Sequence, residues 1–443
     1  MNAVGRIGIV VAIAATSLVV AGIAVVRTPA ERDDGTAAVV SASALLRPGV
    51  GAGVLEDPID RLQQRLRELP ADWRGYASLG LAYVAQARVT ADPTYYSKAE
   101  SALQRSLRLN ERDNVNAVLG LGALALARHD FAAAPEHGRL ARAMAPYSMD
   151  AYGVIGDALL ELGRYRAAFE AFQRMVDTKP ALASYARVSY ARELTGEVDA
   201  AVRAMRLAFD AAGTPTDAAW AAHRLGELAW GTGDVGTAAG WFGRARDLDP
   251  YSVDALAGLA KVAWARGRPA IAIERYTEVA ERYPSPEHLI ALGDLYATTG
   301  RPELAEQQYA VVRATAELAA ANGVDVDLEL ALFLADHGEP EAALATAEEE
   351  WARRRSVHVA DAYAWALFRN GRFDEAAVLA DRALSLGTHD ALFLFHAATI
   401  RHALGDDDAA LALIAEALNR NPNFSILHRR AAEDLLTELD AAP

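Results

Sequence analysis

A glycine recurs along most of this chain at the spacing of one small helical hairpin. It stands at Gly163, Gly196, Gly233, Gly267, Gly300, Gly338, Gly371 and Gly405, at intervals of 33, 37, 34, 33, 38, 33 and 34 residues. Five positions after each comes alanine: Ala168, Ala201, Ala238, Ala272, Ala305, Ala343, Ala376 and Ala410. Such a period marks a supersecondary unit that cannot bury its apolar face alone, so the units must stack into a solenoid. Alanine supplies 98 of the 443 residues, and the strongest helix former in that proportion favours helices over sheet. The period therefore predicts one continuous array in place of the three domains that length alone would suggest.

The clearest unit is 149–180, MDAYGVIGDALLELGRYRAAFEAFQRMVDTKP. Its Tyr152, Ile155, Gly156, Leu159, Gly163, Tyr165, Ala168, Phe172 and Pro180 resemble the tetratricopeptide repeat, a helix–turn–helix unit of about 34 residues. Two further units precede it, through Gly80, Tyr83, Ala99 and Leu103, and through Gly122, Phe131, Ala134 and Pro146. The turn glycine supplies the left-handed conformation that closes the first helix, and prolines such as Pro180, Pro250 and Pro284 stop the second. A small residue late in the first helix (Gly156, Gly226, Gly293) lets the second approach, facing the alanine after the turn; the large residue four positions on (Phe172, Phe242, Tyr309) fills the space toward the next unit. Extra residues fall before Ala99, near Ala212–Pro215 and near Ala319–Val324, and the family's early tryptophan is replaced by Tyr76, Tyr152 and Tyr185 or smaller residues. The resemblance implies an all-α fold: a right-handed superhelical solenoid of about ten units over 71–424, with 425–443 as a C-terminal capping helix and tail.

Ahead of the array, Ile7–Val26 runs twenty residues without a charge, about 30 Å as a helix and so the thickness of a bilayer core. We expect residues 1–6 in the cytoplasm, 7–26 as a transmembrane helix or signal sequence, 27–58 as a flexible linker and 59–70 as a short amphipathic helix. Arg6 precedes the apolar run, and Arg27, Glu31, Arg32, Asp33 and Asp34 behind it nearly cancel. The positive-inside rule then puts the solenoid outside the cytoplasmic membrane of a bacterium. Small-x-small sites at Gly22-Ile23-Ala24 and Thr28-Pro29-Ala30 keep cleavage and secretion open. In the amphipathic helix, Ile59, Leu62, Leu66 and Leu69 share one face, and Pro70 ends it.

Little here points to catalysis. With no cysteine, disulfides, thiolate metal sites and cysteine nucleophiles are excluded. A net charge of −15 argues against nucleic acid. Gly231-Thr232-Gly233-Asp234-Val235-Gly236 matches a dinucleotide fingerprint in letters, but falls in a hairpin turn where no strand leads in. His396 and His402 are six apart, the wrong spacing for two ligands on one helical face. The acidic runs Glu348–Glu350 and Asp406–Asp408 read as solvated helix ends. No cofactor, metal or nucleotide is expected, and after anchor, linker and units too little chain remains for a catalytic domain. An accessory subunit of an enzyme complex is the weaker alternative to a binding scaffold.

The resemblance further implies a concave face, built from positions 2, 5, 9 and 12 of each first helix, that holds a partner protein or peptide. Those positions supply Tyr190 and Glu193; Trp220, His223, Glu227 and Trp230; Asp254, Ala257, Lys261 and Trp264; Glu287, Ile290 and Asp294. A distant patch adds His358, Asp361, Trp365 and Phe368. Tryptophan is a frequent interface anchor, and Lys261 stands alone among acidic neighbours. The predicted ligand is an apolar segment of basic character.

Overall fold

The computed structural model describes residues 52–324 and 328–441, and every regular element among them is an α-helix. A single helix, α1 (Ala52–Glu68), precedes ten hairpins: α2/α3 (Trp73–Thr90, Thr94–Leu109), α4/α5 (Val115–Ala127, Ala134–Met144), α6/α7 (Met149–Glu161, Tyr165–Thr178), α8/α9 (Leu182–Leu194, Val198–Asp210) and α10/α11 (Pro215–Gly231, Val235–Leu248) come first. Then follow α12/α13 (Val253–Ala265, Pro269–Arg282), α14/α15 (Pro286–Thr298, Pro302–Ala321), α16/α17 (Leu328–Asp336, Pro340–Arg353), α18/α19 (Val357–Arg369, Phe373–Ala383) and α20/α21 (Ala391–Ala403, Asp407–Arg420). A last helix, α22 (Arg429–Asp440), closes the array. The segment 7–26 and most of 27–58 lie outside the described residues. Among the described residues no helix is long and apolar enough to cross a membrane.

The hairpins form where the local chemistry directs. Ser148, Ser252, Ser285 and Ser356 each accept a backbone N–H through the side chain and so start first helices. Pro269, Pro302 and Pro340 open second helices, at the position where a missing N–H costs nothing. All eight recurrent glycines have positive φ, and all eight alanines after them are buried. The two earlier hairpins lack the glycine, and Ala91 and His129 take the left-handed position instead, at φ 61° each.

The expected pairing of Gly156 with Ala168 needs correcting. A Cβ added to Gly156 would lie 2.4 Å from the Phe172 ring, and at Gly226 and Gly293 it would meet Phe242 and Tyr309 at 2.4 and 2.3 Å. The small residue of the first helix therefore receives the large residue of its own hairpin. Phe242 also presses on Gly258 of the following unit, so one ring packs two units together. First helices touch their counterparts from unit to unit and form an inner layer.

At the N-terminal end, α1 begins at Ala52, inside the stretch read as linker, and buries Leu55, Ile59, Leu62 and Leu66. Leu69 falls beyond its end and is exposed. At the other end, Ala432 and Leu439 of α22 are buried while the charged residues point outward. The cap helix starts at Arg429, after a turn at 426–428.

The array coils until its second turn rests on its first. The Tyr283 hydroxyl donates to the Arg88 carbonyl at 2.9 Å. Arg354 pairs with Glu161 at 2.7 Å, and the Asn421 amide donates to the Trp230 carbonyl at 2.9 Å. At Gly163, Gly196 and Gly233 an added Cβ would strike the backbone of Arg355, Gly387 and Arg420 at 2.3, 2.3 and 2.6 Å. The equivalent glycines 267, 300, 338, 371 and 405 face open space. A seam thus joins residues almost 200 positions apart.

Candidate functional site

The inner face is carried by the first helices, whose side chains at the stripe positions converge as the coil tightens. On α10 and α12, the Lys261 ammonium lies 2.9 and 3.1 Å from the two Glu227 oxygens, and His223 Nε2 lies 3.3 Å from the same carboxylate. Burial pushes the Glu227 carboxyl up, but Lys261 and then His223 outweigh it and hold the group well below the usual carboxylate range. Burial likewise opposes the Lys261 charge, and Glu227 and Glu287 restore it, so its affinity for the proton exceeds that of a free lysine. The pair is therefore doubly charged and internally neutral. Arg224 stands 3.6 Å from Glu193, whose carboxyl is raised by burial against that pull. Asp254 and Glu287 are exposed in the first turns of α12 and α14. Half-buried Trp220 and Trp264 flank this group. The accessible sector of the face is thus Glu193, Trp220, His223, Glu227, Asp254, Lys261, Trp264 and Glu287, aromatic and acidic, with Lys261 already paired to Glu227.

Of the remaining stripe residues, Ile290, His358 and Phe368 are half-buried and the others lie inside. Trp230 is 9% exposed and packs with Phe242 and Val262. Asp294 is buried; it accepts a hydrogen bond from the Tyr309 hydroxyl at 2.9 Å, with His337 Nε2 at 3.4 Å. Burial, opposed by that hydrogen bond and helped by the Asp336 charge, pushes the Asp294 carboxyl up to about 7. Trp365, at 3% exposure, donates to Asp336 at 2.7 Å and lies between the His396 and Phe368 rings at 4.2 and 4.9 Å. Tyr190 stacks at 6.5 Å on His358, so the coil brings the distant patch against the early stripe.

Two buried polar pairs and one half-buried pair were missed by sequence reasoning. Arg187 grips Asp157 with bonds of 2.7 and 2.6 Å. His396 Nδ1 is 3.0 Å from both Asp361 oxygens, and His428 Nε2 is 3.1 Å from Asp336. Burial pushes the Asp336 carboxyl up, and His428 pulls it back below its ordinary range. A signal existed for the first two: the partners sit on first helices 30 and 35 residues apart, close to one repeat, as do Glu227 and Lys261 at 34. The acidic run at 348–350 also needs correcting, because Glu350 is buried and held by Arg353 and Arg354. Asp406–Asp408 are exposed as expected, with Asp407 2.7 Å from His402.

No curated protein matches the sequence. Among solved structures the chain is similar to a subunit of the APC/C hetero-tetramer Cut9-Hcn1, at 14% identity and TM-score 0.38, covering 88% of this chain and 92% of that one. It is similar to TTC0263, a thermophilic TPR protein of Thermus thermophilus, at 20% identity and TM-score 0.39, covering 43% and 99%. The P58(IPK) TPR domain follows at 17% identity and TM-score 0.24, covering 74% and 100%. Tetratricopeptide-repeat family models match residues 258–319 and 362–425, and a second one matches 150–181. Those segments fall on hairpins of the same array, so the chain contains tetratricopeptide repeats.

Proposed function

We propose that the chain is a non-enzymatic scaffold that captures a partner protein on the accessible sector of its inner face. Tetratricopeptide proteins in general mediate protein–protein interaction. The observation that carries the reading for this chain is two half-buried tryptophans, Trp220 and Trp264, beside exposed carboxylates at Asp254 and Glu287, in a sector whose lysine is already paired with Glu227. Aromatic side chains supply contact area at an interface, and exposed carboxylates favour a cationic partner. The ligand is an extended or helical segment with apolar and basic residues. A pull-down from membrane extract with wild type and a Trp220→Ala/Trp264→Ala variant of equal helicity tests this. The variant should lose the partner; equal recovery would remove the sector from consideration. Trp230 and Trp365 are poor choices for that test, since their loss would open cavities in the core.

We also read Ile7–Val26 as the means of attachment to a bacterial cytoplasmic membrane, with the solenoid outside. The support is the uncharged length of the segment and Arg6 before it. Protease added to intact spheroplasts should digest the solenoid, whereas full protection of membrane-bound protein would reverse the orientation. N-terminal sequencing of the mature protein distinguishes the anchor from a cleaved signal, which would make the scaffold a secreted one.

A further inference from the structure

Charge is unevenly spread along this chain. Residues 1–282 balance at 32 acidic and 32 basic, whereas residues 283–443 carry 27 acidic residues against 12 arginines and no lysine. Three of those 12 arginines are consecutive, at Arg353, Arg354 and Arg355. This basic run, in an otherwise acidic half, falls at one of the places where the second turn seats on the first, through the Arg354 side chain and the Arg355 carbonyl.

The seating has the form of a bound peptide. Arg354 and Ser356 are extended, between α17 and α18. Arg354 is 2% exposed, pairs with Glu161 at 2.7 Å and lies over the Phe131 ring at 4.9 Å. Its other side is held by Glu350. The Arg355 carbonyl fills the space above Gly163. One step on, the Val357 N–H donates to the Tyr165 hydroxyl oxygen at 2.6 Å, and the His358 ring stacks on Tyr190. The receiving surface comes from Phe131, before α5, and from α6, α7 and α8. Glu161 is in the last turn of α6, where the helix end is itself partly negative, so the carboxylate has particular need of a cation. That cation comes from 193 residues away.

We propose that the surface formed by Phe131, Glu161, Tyr165 and Tyr190 is a docking site for an arginine-bearing extended segment, occupied here by the chain's own residues 354–358. The contact is autoinhibitory: a partner bearing such a segment competes with the second turn and parts the seam. A guanidinium suits the site better than an ammonium, because it can pair with a carboxylate in its plane while stacking on an aromatic face. Of the stripe residues only Tyr190 is shared with the inner-face reading. Loss of partner capture by the Trp220→Ala/Trp264→Ala variant therefore leaves this surface untouched.

The probe is a fluorescein-labelled peptide of residues 352–360, ARRRSVHVA, titrated into the full chain in detergent and followed by anisotropy. In wild type the tethered copy holds the site, so only the open fraction can bind. Arg354→Ala removes the tethered cation and should tighten peptide binding by about tenfold or more. Adding Glu161→Gln to that variant should abolish the gain, and replacing the peptide's middle arginine with alanine should do the same. Val357→Pro deletes the N–H given to Tyr165 at a helix position that accepts proline, and serves as the opened form if Arg354→Ala does not fold. Equal binding by wild type and a folded opened variant, or a gain that survives Glu161→Gln, would overturn the proposal.

Discussion

Alanine at Gly196 should destabilise this protein far more than alanine at Gly371, although the two glycines hold the same place in their hairpins and the same φ of 74°. Both substitutions force a side chain into the left-handed region, at about 1–2 kcal/mol. At Gly371 nothing else happens, since the space beyond is open. At Gly196 the new Cβ would sit 2.3 Å from the Gly387 carbonyl oxygen and 3.0 Å from the His389 ring. A backbone atom cannot rotate away, so the second turn must shift, for a further ~1–3 kcal/mol. Because a repeat array opens locally, hydrogen exchange is the measurement of choice. Gly196→Ala should raise exchange around 387–389 as well as in α8 and α9, and Gly371→Ala only in its own hairpin and neighbours. Equal and purely local effects would mean that the two turns do not touch in solution.

The second large effect is expected at Arg187. Its guanidinium, 2% exposed, makes two bonds to Asp157 and a third to the Ala183 carbonyl at 3.0 Å, joining α8 to α6. Burial pushes the Asp157 carboxyl up to about 6, against the pull of this one cation. Arg187→Met would leave the carboxylate buried without its counter-charge, at a cost of ~3–5 kcal/mol. The double variant Arg187→Met/Asp157→Leu should recover most of that loss, because an apolar pair of similar volume needs no desolvation of charge. Urea midpoints for the two single variants and the double one complete the cycle. A double variant as unstable as Arg187→Met alone would show that the pair does more than neutralise itself.

The hairpins were legible from single residues. Gly163 and Ala168, repeated in phase, specify a left-handed turn and a close approach, and both are local demands that a sequence displays directly. Tyr152, Phe172 and Pro180 added which side is apolar and where the second helix stops. The stripe at Trp220, His223 and Glu227 followed from helical spacing, and Lys261 one unit later completed a pair whose distance in sequence is one repeat. The depth of Trp230 and Trp365 did not follow. Helical spacing assigns a residue to a face, but whether that face meets solvent depends on how tightly the units coil. Glu350 misled for the same reason: an acidic helix end is ordinarily solvated, and this one is buried and held by Arg353 and by Arg354, which also reaches Glu161 of the previous turn.

By itself, then, the sequence determined the unit: two helices, the turn between them, the small and large residues that pack them, and the number of times they repeat. These rest on interactions within about 40 residues, which short-range periodicity encodes. The tertiary structure alone decided the curvature, and with it the seam between Gly163, Gly196 and Gly233 and their partners almost 200 residues on. Curvature sums a small rotation at every interface, set by the volumes of side chains such as Phe242 pressed between neighbouring units. No single residue announces that sum. It is the sum that turns Tyr190 toward His358, closes part of the inner face and leaves Trp220, Asp254, Trp264 and Glu287 within reach of a partner.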